Sequence, residues 1–214
     1  MKSQNLPDAN GQITCIIPDG TGGIFVSGSF SVLTEKPTGN AVNRTAIAHV
    51  LANGQVDRAW NPNVVDGYSF SPSPAKVYAM AIENGILYMA GSFSSINGIQ
   101  RNGLASLNSS TGVLNSWNPN TSNFPNGGYG RESWNIAASN NRIYAKGNAN
   151  PGIPNLFSVG IINTGDASIQ ANAGTGNSLS FQAITVANGV VYTGGFQTLQ
   201  AFDAVTGAVV PSFD

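Results

Sequence analysis

The chain has 214 residues, a formal net charge of −1, and only 9% Asp, Glu, Lys and Arg, against the usual quarter. Its nine basic residues are scattered, which excludes an electrostatic footprint for nucleic acid. The longest apolar runs are strand-length, so no membrane insertion is expected, and a single cysteine, Cys15, excludes an internal disulfide. Gly, Asn, Ser and Thr replace the missing charge, a composition suited to turn-rich all-β proteins.

Residues 1–12 form a polar lead in which Leu6 is almost the only large apolar side chain. Met1 is not followed by the charged segment and apolar core of a secretion signal. From residue 13 onward the chain repeats itself. The first repeat, 13–63, contains Val26-Ser27-Gly28-Ser29-Phe30, then Asn43-Arg44, Ile47-Ala48, the turn Asn53-Gly54, and Asp57-Arg58-Ala59-Trp60-Asn61-Pro62-Asn63. The second, 64–120 with its preceding loop, answers with Met89-Ala90-Gly91-Ser92-Phe93, Gln100-Arg101, Leu104-Ala105, Thr111-Gly112 and Leu114-Asn115-Ser116-Trp117-Asn118-Pro119-Asn120. Trp60 and Trp117 are 57 residues apart. Within this second copy, short alternating apolar runs at 77–82, 86–93, 103–107 and 113–117 are separated by turn residues and read as four strands.

The third repeat, 121–174, is more worn. Its strands are placed at 135–138, 142–147 and 157–162, and the Trp-Asn-Pro site has decayed to about Gln170-Ala171-Asn172. The fourth, 175–214, is compact, with strands at 181–187, 190–196 and 199–204 and the turn Val205-Thr206-Gly207. Phe213 stands where the tryptophan would be.

Four copies of a four-stranded antiparallel unit predict an all-β chain, a β-propeller with four blade repeats. A unit of this size cannot bury both faces of its own sheet, so neighbouring blades must cover each other. Phe30, Trp60, Phe93, Trp117, Phe196 and Phe213 read as repeated packing positions, since a large ring covers much apolar area at one point. A β-sandwich is the competing all-β architecture, but it does not require such regular repetition. Each repeat holds its own four strands and none is left over to tie a ring. Four blades can close a small ring, but the chain reads rather as an excerpt cut at repeat boundaries, completed by further blades or a partner subunit.

The search for chemistry finds no catalytic set, and neither a metal nor a cofactor is expected. His49, the one histidine, lies in a predicted third strand and reads as a partly exposed strand residue, with no acid placed by sequence to serve it. One His and one Cys exclude the common zinc ligand sets. Cys15 reads as a buried structural thiol. Among the carboxylates, Asp19, Asp57, Glu83, Asp166 and Asp203 occupy turn or repeat positions, leaving Glu35, Asp66 and Glu132 as candidates for acid–base work. Asp8-Ala9-Asn10-Gly11 matches part of a calcium loop but lacks its spacing and terminal Glu, and reads as a turn. Arg44 and Arg101 share one repeat position. They either stabilise the blade by bonding loop carbonyls or touch a ligand.

The loops are unequal. The long ones are predicted at 31–43, 64–76 and 121–133, all on one face of a propeller, and they carry Lys36, Tyr68, Phe70, Phe124, Tyr129 and Arg131. Aromatic and Arg side chains among Gly, Asn and Ser suit recognition of a glycan or a protein. The alternative is that the rings tuck onto blade edges and only close the structure.

These motifs resemble the delta-60 repeat, a bacterial β-propeller repeat. That pattern is a Gly-Ser-Phe run, a loop with Asn-Arg before a short apolar strand, then Asn/Asp-Gly, Leu/Val-Asp and an aromatic followed by Asn. Ser27-Gly28-Ser29-Phe30, Asn43-Arg44, Asn53-Gly54-Gln55-Val56-Asp57 and Trp60-Asn61 carry it most fully. The resemblance implies a secreted or surface-attached bacterial protein and an extracellular setting, and is mute about ligand; with no catalytic set found, the chain reads as a non-catalytic recognition or spacer module. Val190–Gly195 with Ala201-Phe202-Asp203-Ala204-Val205-Thr206-Gly207 is also similar to the repeat of quinoprotein propellers. That likeness keeps open a propeller enzyme, a hydrolase or an oxidoreductase with its site in a central channel. Nothing outside the repeat motif supplies the quinone pocket, calcium ligands or axial aspartate such an oxidoreductase needs.

Overall fold

The computed structural model describes residues 5–66, 74–119, 133–147, 159–173, 181–195 and 198–211, and every regular element among them is a β-strand. The lead supplies β1 (Asp8–Ala9), and the first repeat supplies β2 (Ile13–Pro18), β3 (Ile24–Gly28), β4 (Val32–Thr34), β5 (Ala41–Asn43) and β6 (Ile47–Val50). The second supplies β7 (Val64–Val65), β8 (Lys76–Glu83), β9 (Ile86–Ser92), β10 (Ser95–Ile96), β11 (Ile99–Gln100) and β12 (Leu104–Asn108). The third supplies β13 (Ser133–Ser139), β14 (Arg142–Gly147), β15 (Val159–Asn163) and β16 (Ile169–Ala173). The fourth supplies β17 (Phe181–Ala187), β18 (Val190–Gly195) and β19 (Thr198–Asp203).

Each repeat forms one antiparallel main sheet: β2-β3-β6, β8-β9-β12, β13-β14-β15-β16 and β17-β18-β19. Only the third has four strands, which corrects the expectation of four four-stranded blades. In the other three the fourth run touches the sheet through a single bridge: Val50 to Val56, Leu107 to Leu114, Phe202 to Val209. In the first repeat the cause is local. Asp57 Oδ1 accepts hydrogen bonds from the Ala59 and Trp60 amides, at 3.0 and 3.3 Å, and Pro62 offers no amide at all. Side-chain capture and proline together take the backbone out of the ladder. The third repeat lacks the Trp-Asn-Pro motif, and there β16 runs on as a strand.

Two smaller sheets flank the first two main sheets. β1-β4-β5 joins the lead to the hairpin after β3, and β7-β10-β11 joins the inter-repeat linker to the hairpin after β9. The lead thus supplies a short strand, and the predicted long loop at 31–43 is largely a hairpin whose Leu33 and Val42 are buried. Asn10 fixes the join, accepting the Ser31 and Val32 amides through Oδ1.

One glycine explains the Gly-Ser-Phe motif. In every main sheet the first strand slips register opposite the same position of the second: Ile13 faces Gly28, Val77 faces Gly91, Ser133 faces Gly147 and Phe181 faces Gly195. At Gly28 and Gly91 a Cβ would fall on the carbonyl oxygen of Gln12 and of Lys76. The bulge needs a residue without a side chain. The hairpins before it are two-residue turns in the second, third and fourth repeats, with positive φ at Asn84-Gly85, Asn140-Asn141 and Asn188-Gly189.

The main sheets stack face on face. A unit's leading face meets the preceding unit and its trailing face meets the next. Phe25, Ile47 and Trp60 pack on Val77, Met80, Leu87, Met89 and Leu107. Tyr88, Leu104 and Trp117 pack on Ile136, Ile143 and Ile162. Tyr144, Val159 and Ile161 pack on Val191 and Phe202. The first strands also touch in succession, β2 with β8, β8 with β13 and β13 with β17. Polar bonds between units repeat as well. Trp60 Nε1 donates to the Ser109 carbonyl and Trp117 Nε1 to the Asn163 carbonyl, both at 2.9 Å. Where the third repeat lacks tryptophan, Tyr144 Oη donates to the Ala204 carbonyl at 2.9 Å.

Gly91→Ala is expected to destabilise the fold by roughly 2–3 kcal/mol or more, because backbone cannot yield as a flexible side chain does. Gly112→Ala forces a Cβ to 3.2 Å from the Trp60 ring at a φ of +71°, and is expected to cost about 1–3 kcal/mol. Urea unfolding followed by tryptophan fluorescence checks both.

Candidate functional site

The densest cluster of ionisable side chains among the described residues surrounds His49. It sits on β6 opposite Phe25 of β3. Its Nδ1 is 3.0 Å from Asp57 Oδ2 and its Nε2 is 3.0 Å from Asp19 Oδ2. The His49 and Asp19 side chains are only 11% and 6% exposed. The imidazole stacks on Phe25 at 4.7 Å between centroids, and the Trp60 ring stands edge-on at 6.1 Å. His49 is therefore a buried, doubly bonded residue, a correction to the partly exposed, unserved histidine expected from sequence.

Local sequence builds this arrangement. The first repeat replaces the two-residue Asn turn of its neighbours with Asp19-Gly20-Thr21-Gly22-Gly23. Asp19 closes that loop by accepting the Thr21 and Gly23 amides through Oδ1, at 2.7 and 2.9 Å, and the Thr21 hydroxyl through Oδ2 at 2.7 Å. The second partner comes from a one-residue difference between the repeats. The Asp57 amide donates to the His49 carbonyl as the Asn115 amide donates to that of Ser106. Asp57 is thus the structural counterpart of Asn115, not of Leu114 as the Trp-anchored alignment had it. In the second repeat the same pair is neutral, with Asn115 Nδ2 3.4 Å from Ser106 Oγ.

Burial works against both charged carboxylates and the hydrogen bonds outweigh it. Asp19 lies well below the ordinary carboxylate range because His49, Thr21 and Gly23 donate to it. Asp57 is lowered by His49 and the Trp60 and Ala59 amides. Both ring nitrogens thus face a carboxylate oxygen at hydrogen-bond distance. Neither ring nitrogen is left to accept a proton from a nucleophile. The carboxylates lie on opposite sides of the ring and do not converge. No group of three or more His, Cys, Asp or Glu among the described residues is placed to hold a metal ion.

The other charged candidates are also engaged with the scaffold. Arg58 meets Glu35 bidentately, Nη1 to Oε1 at 2.7 Å and Nη2 to Oε2 at 2.9 Å, and the Val56 amide adds a bond to Oε1 at 2.8 Å. Those bonds from Arg58 and Val56, against the opposing effect of burial, hold the Glu35 carboxyl at about 2. Arg44 donates to the Asn43 and Asp57 carbonyls at 2.7 and 2.8 Å, and Arg101 to those of Gln100 and Asn115, both at 2.8 Å. Lys36 pairs with Asp8 at 2.6 Å. The Asp66 carboxylate accepts from Ser92 Oγ at 3.4 Å. Cys15 is half-buried against the core between the first two units, and burial raises its thiol pKa. Phe30, Phe93, Trp60 and Trp117 are buried. Tyr68, Phe70, Phe124, Tyr129, Arg131, Glu132, Phe196 and Phe213 lie outside the described residues.

No protein-family model matches the chain, and no curated protein matches it. Solved structures do. The chain is similar to a computationally designed protein, Ika8, with TM-score 0.53 and 13% identity over 92% of this chain and 60% of that one. It is similar to the extracellular domain of a putative hybrid two-component system, BT4673, from B. thetaiotaomicron, with TM-score 0.51 and 13% identity over 96% and 29%. It is similar to BamB from Moraxella catarrhalis, a β-propeller, with TM-score 0.50 and 13% identity over 97% and 48%. The chain spans less than two thirds of each of these proteins. At such identity they show the fold alone: all-β and propeller-like.

Replacing His49 by Leu keeps an apolar contact with Phe25 but strands two carboxylates, and is expected to cost roughly 3–5 kcal/mol. Asp57→Asn is expected to cost less, since an amide oxygen still serves the backbone donors. Chemical denaturation of the two variants side by side checks the order. Acid titration tests Glu35. Its folded pKa lies below its unfolded value, so its contribution is full above about pH 4.5 and is lost as pH falls toward about 2. That contribution is on the order of 2 kcal/mol for this buried carboxyl. Glu35→Gln is expected to lower the urea midpoint at pH 6 and to converge with the wild type near pH 2.

Proposed function

We propose that the chain is a non-catalytic, propeller-like recognition module of the delta-60 repeat type, part of a bacterial secreted or surface protein, whose long loops meet a glycan or a protein. The observation that carries this reading is the use made of the ionisable groups of the first two units. Asp19, His49, Asp57, Glu35 and Arg58 bond to one another, and Arg44 and Arg101 bond to backbone carbonyls. A hydrolase of the acid–base type needs a base placed beside a nucleophile, whereas both His49 nitrogens face carboxylates. The propeller-like architecture adds support, because it holds loops at fixed positions on a rigid frame, where recognition residues concentrate.

The aromatic and Arg residues of the inter-repeat segments, Tyr68, Phe70, Phe124, Tyr129 and Arg131, are the proposed contact set. Lys36, paired with Asp8, plays a lesser part. Combined replacement of Tyr68, Tyr129 and Arg131 by Ala is expected to weaken binding at least about tenfold in a glycan and cell-surface panel, the scale set by losing aromatic and Arg anchors. The urea midpoint is expected to stay unchanged. Equal binding by the variant and the parent would remove recognition and leave a spacer role.

A further inference from the structure

The stacked sheets bury the same positions three times over and then leave them open at both ends. On the trailing face, one position of the third strand is occupied in turn by Ile47, Leu104, Val159 and Leu199. The first three are 0%, 1% and 0% exposed beneath the following unit, whereas Leu199 is 72% exposed. Its neighbours on that face of the fourth unit, Ala183, Thr185 and Ala187, are exposed too. At the Ala183 and Thr185 positions the second unit has Ala79 and Ala81, packed against the next sheet.

The leading face shows the converse. Ile16, Met80 and Ile136 sit at one position of the first strand, each opposite the matching residue of the second strand. Met80 and Ile136 are 5% and 6% exposed beneath the preceding unit, and Ile16 is 58% exposed. The first unit's small sheet covers Val26, Ala48 and Val50 on this face but leaves Ile16 open. β17 and β2 make no contact comparable to those joining β2 to β8, β8 to β13 and β13 to β17.

We propose that the two open ends are halves of one interface, and that a second copy of this chain docks head to tail, the fourth unit's trailing face against the first unit's leading face. The argument is continuity with an interface already made three times within the chain. The surfaces have the chemistry that each unit presents to its neighbour, apolar at Ile16 and Leu199 and uncharged at Ala183, Thr185 and Ala187. A head-to-tail contact is heterologous, and two copies that use it reciprocally cover Ile16 and Leu199 of both chains in one closed ring. The inference rests on the stacking and not on the proposed recognition role, so its failure leaves that role standing.

Sedimentation equilibrium of the whole chain tests it. A species of twice the monomer mass is expected. Leu199→Glu and Ile16→Glu each place a charge in the contact and are expected to weaken association by about 100-fold or more. Both positions are exposed in the single chain, so circular dichroism and the urea midpoint of the monomer should not change. Mixing the two variants restores one undamaged contact, Leu199 of one against Ile16 of the other, and is expected to regenerate a heterodimer. A parent chain that stays monomeric overturns the proposal. So does a dimer indifferent to either substitution, or a mixture that fails to reassociate.

Discussion

Successive sheets are held in register by an aromatic donor that reaches from one unit into the turn of the next. The indole N–H of Trp60 and of Trp117 ends on a carbonyl of the following unit. Each ring also covers apolar surface that would otherwise face water, a contribution of a few kcal/mol when such a side chain is fully buried. The constraint extends beyond the ring. For Trp60 to lie flat on the second unit, Gly112 must adopt positive φ and carry no side chain. In the third unit the tryptophan is absent and a phenol takes over: Tyr144 stands where Phe25 and Tyr88 stand, and its hydroxyl supplies the bond. The interface is conserved in kind while the residue that makes it moves from the fourth run to the second strand.

Much of this frame was legible in the sequence, because the repeat is a record of the same backbone problem met several times. Gly28 and Gly91 mark a bulge, and the Asn turns mark hairpins of fixed hand. What escaped was the state of the fourth run. Trp-Asn-Pro was read as the end of a strand, yet proline and the side chain of Asp57 remove the donors a ladder needs. The worn third copy, the least regular to the eye, is the one that completes four strands. Decay of a motif and loss of a strand are opposite signs here.

The His49 cluster was illegible for a different reason. Asp19 and Asp57 lie 30 and 8 residues away in sequence, and nothing short of the strand register shows that both meet the ring. Aligning the repeats by hydrogen bonding, not by tryptophan, would have set Asp57 across from His49. The comparison also says what the cluster is for. Its counterpart in the second unit, Ser106 with Asn115, makes the same cross-link without charge. The shared element is therefore a brace between the third strand and the fourth run, which the first unit makes stronger with ions.

The ionic braces seen among the described residues belong to the first unit, and its place in the stack accounts for them. Later units have their leading faces covered by a preceding sheet, and apolar contact keeps their outer runs in place. The first has only its own small sheet, through Phe30, Leu33 and Val42. Glu35 with Arg58 ties that small sheet to the fourth run, and Asp19–His49–Asp57 ties the fourth run to the first turn. In stacked-repeat proteins a unit that no neighbouring sheet covers needs some such substitute. The fourth unit has no equivalent at these positions, where Ala201 and Val210 replace the His49–Asp57 pair. An end built from charge holds its shape alone, whereas an end built from Leu199, Ala183 and Thr185 is finished only by another surface.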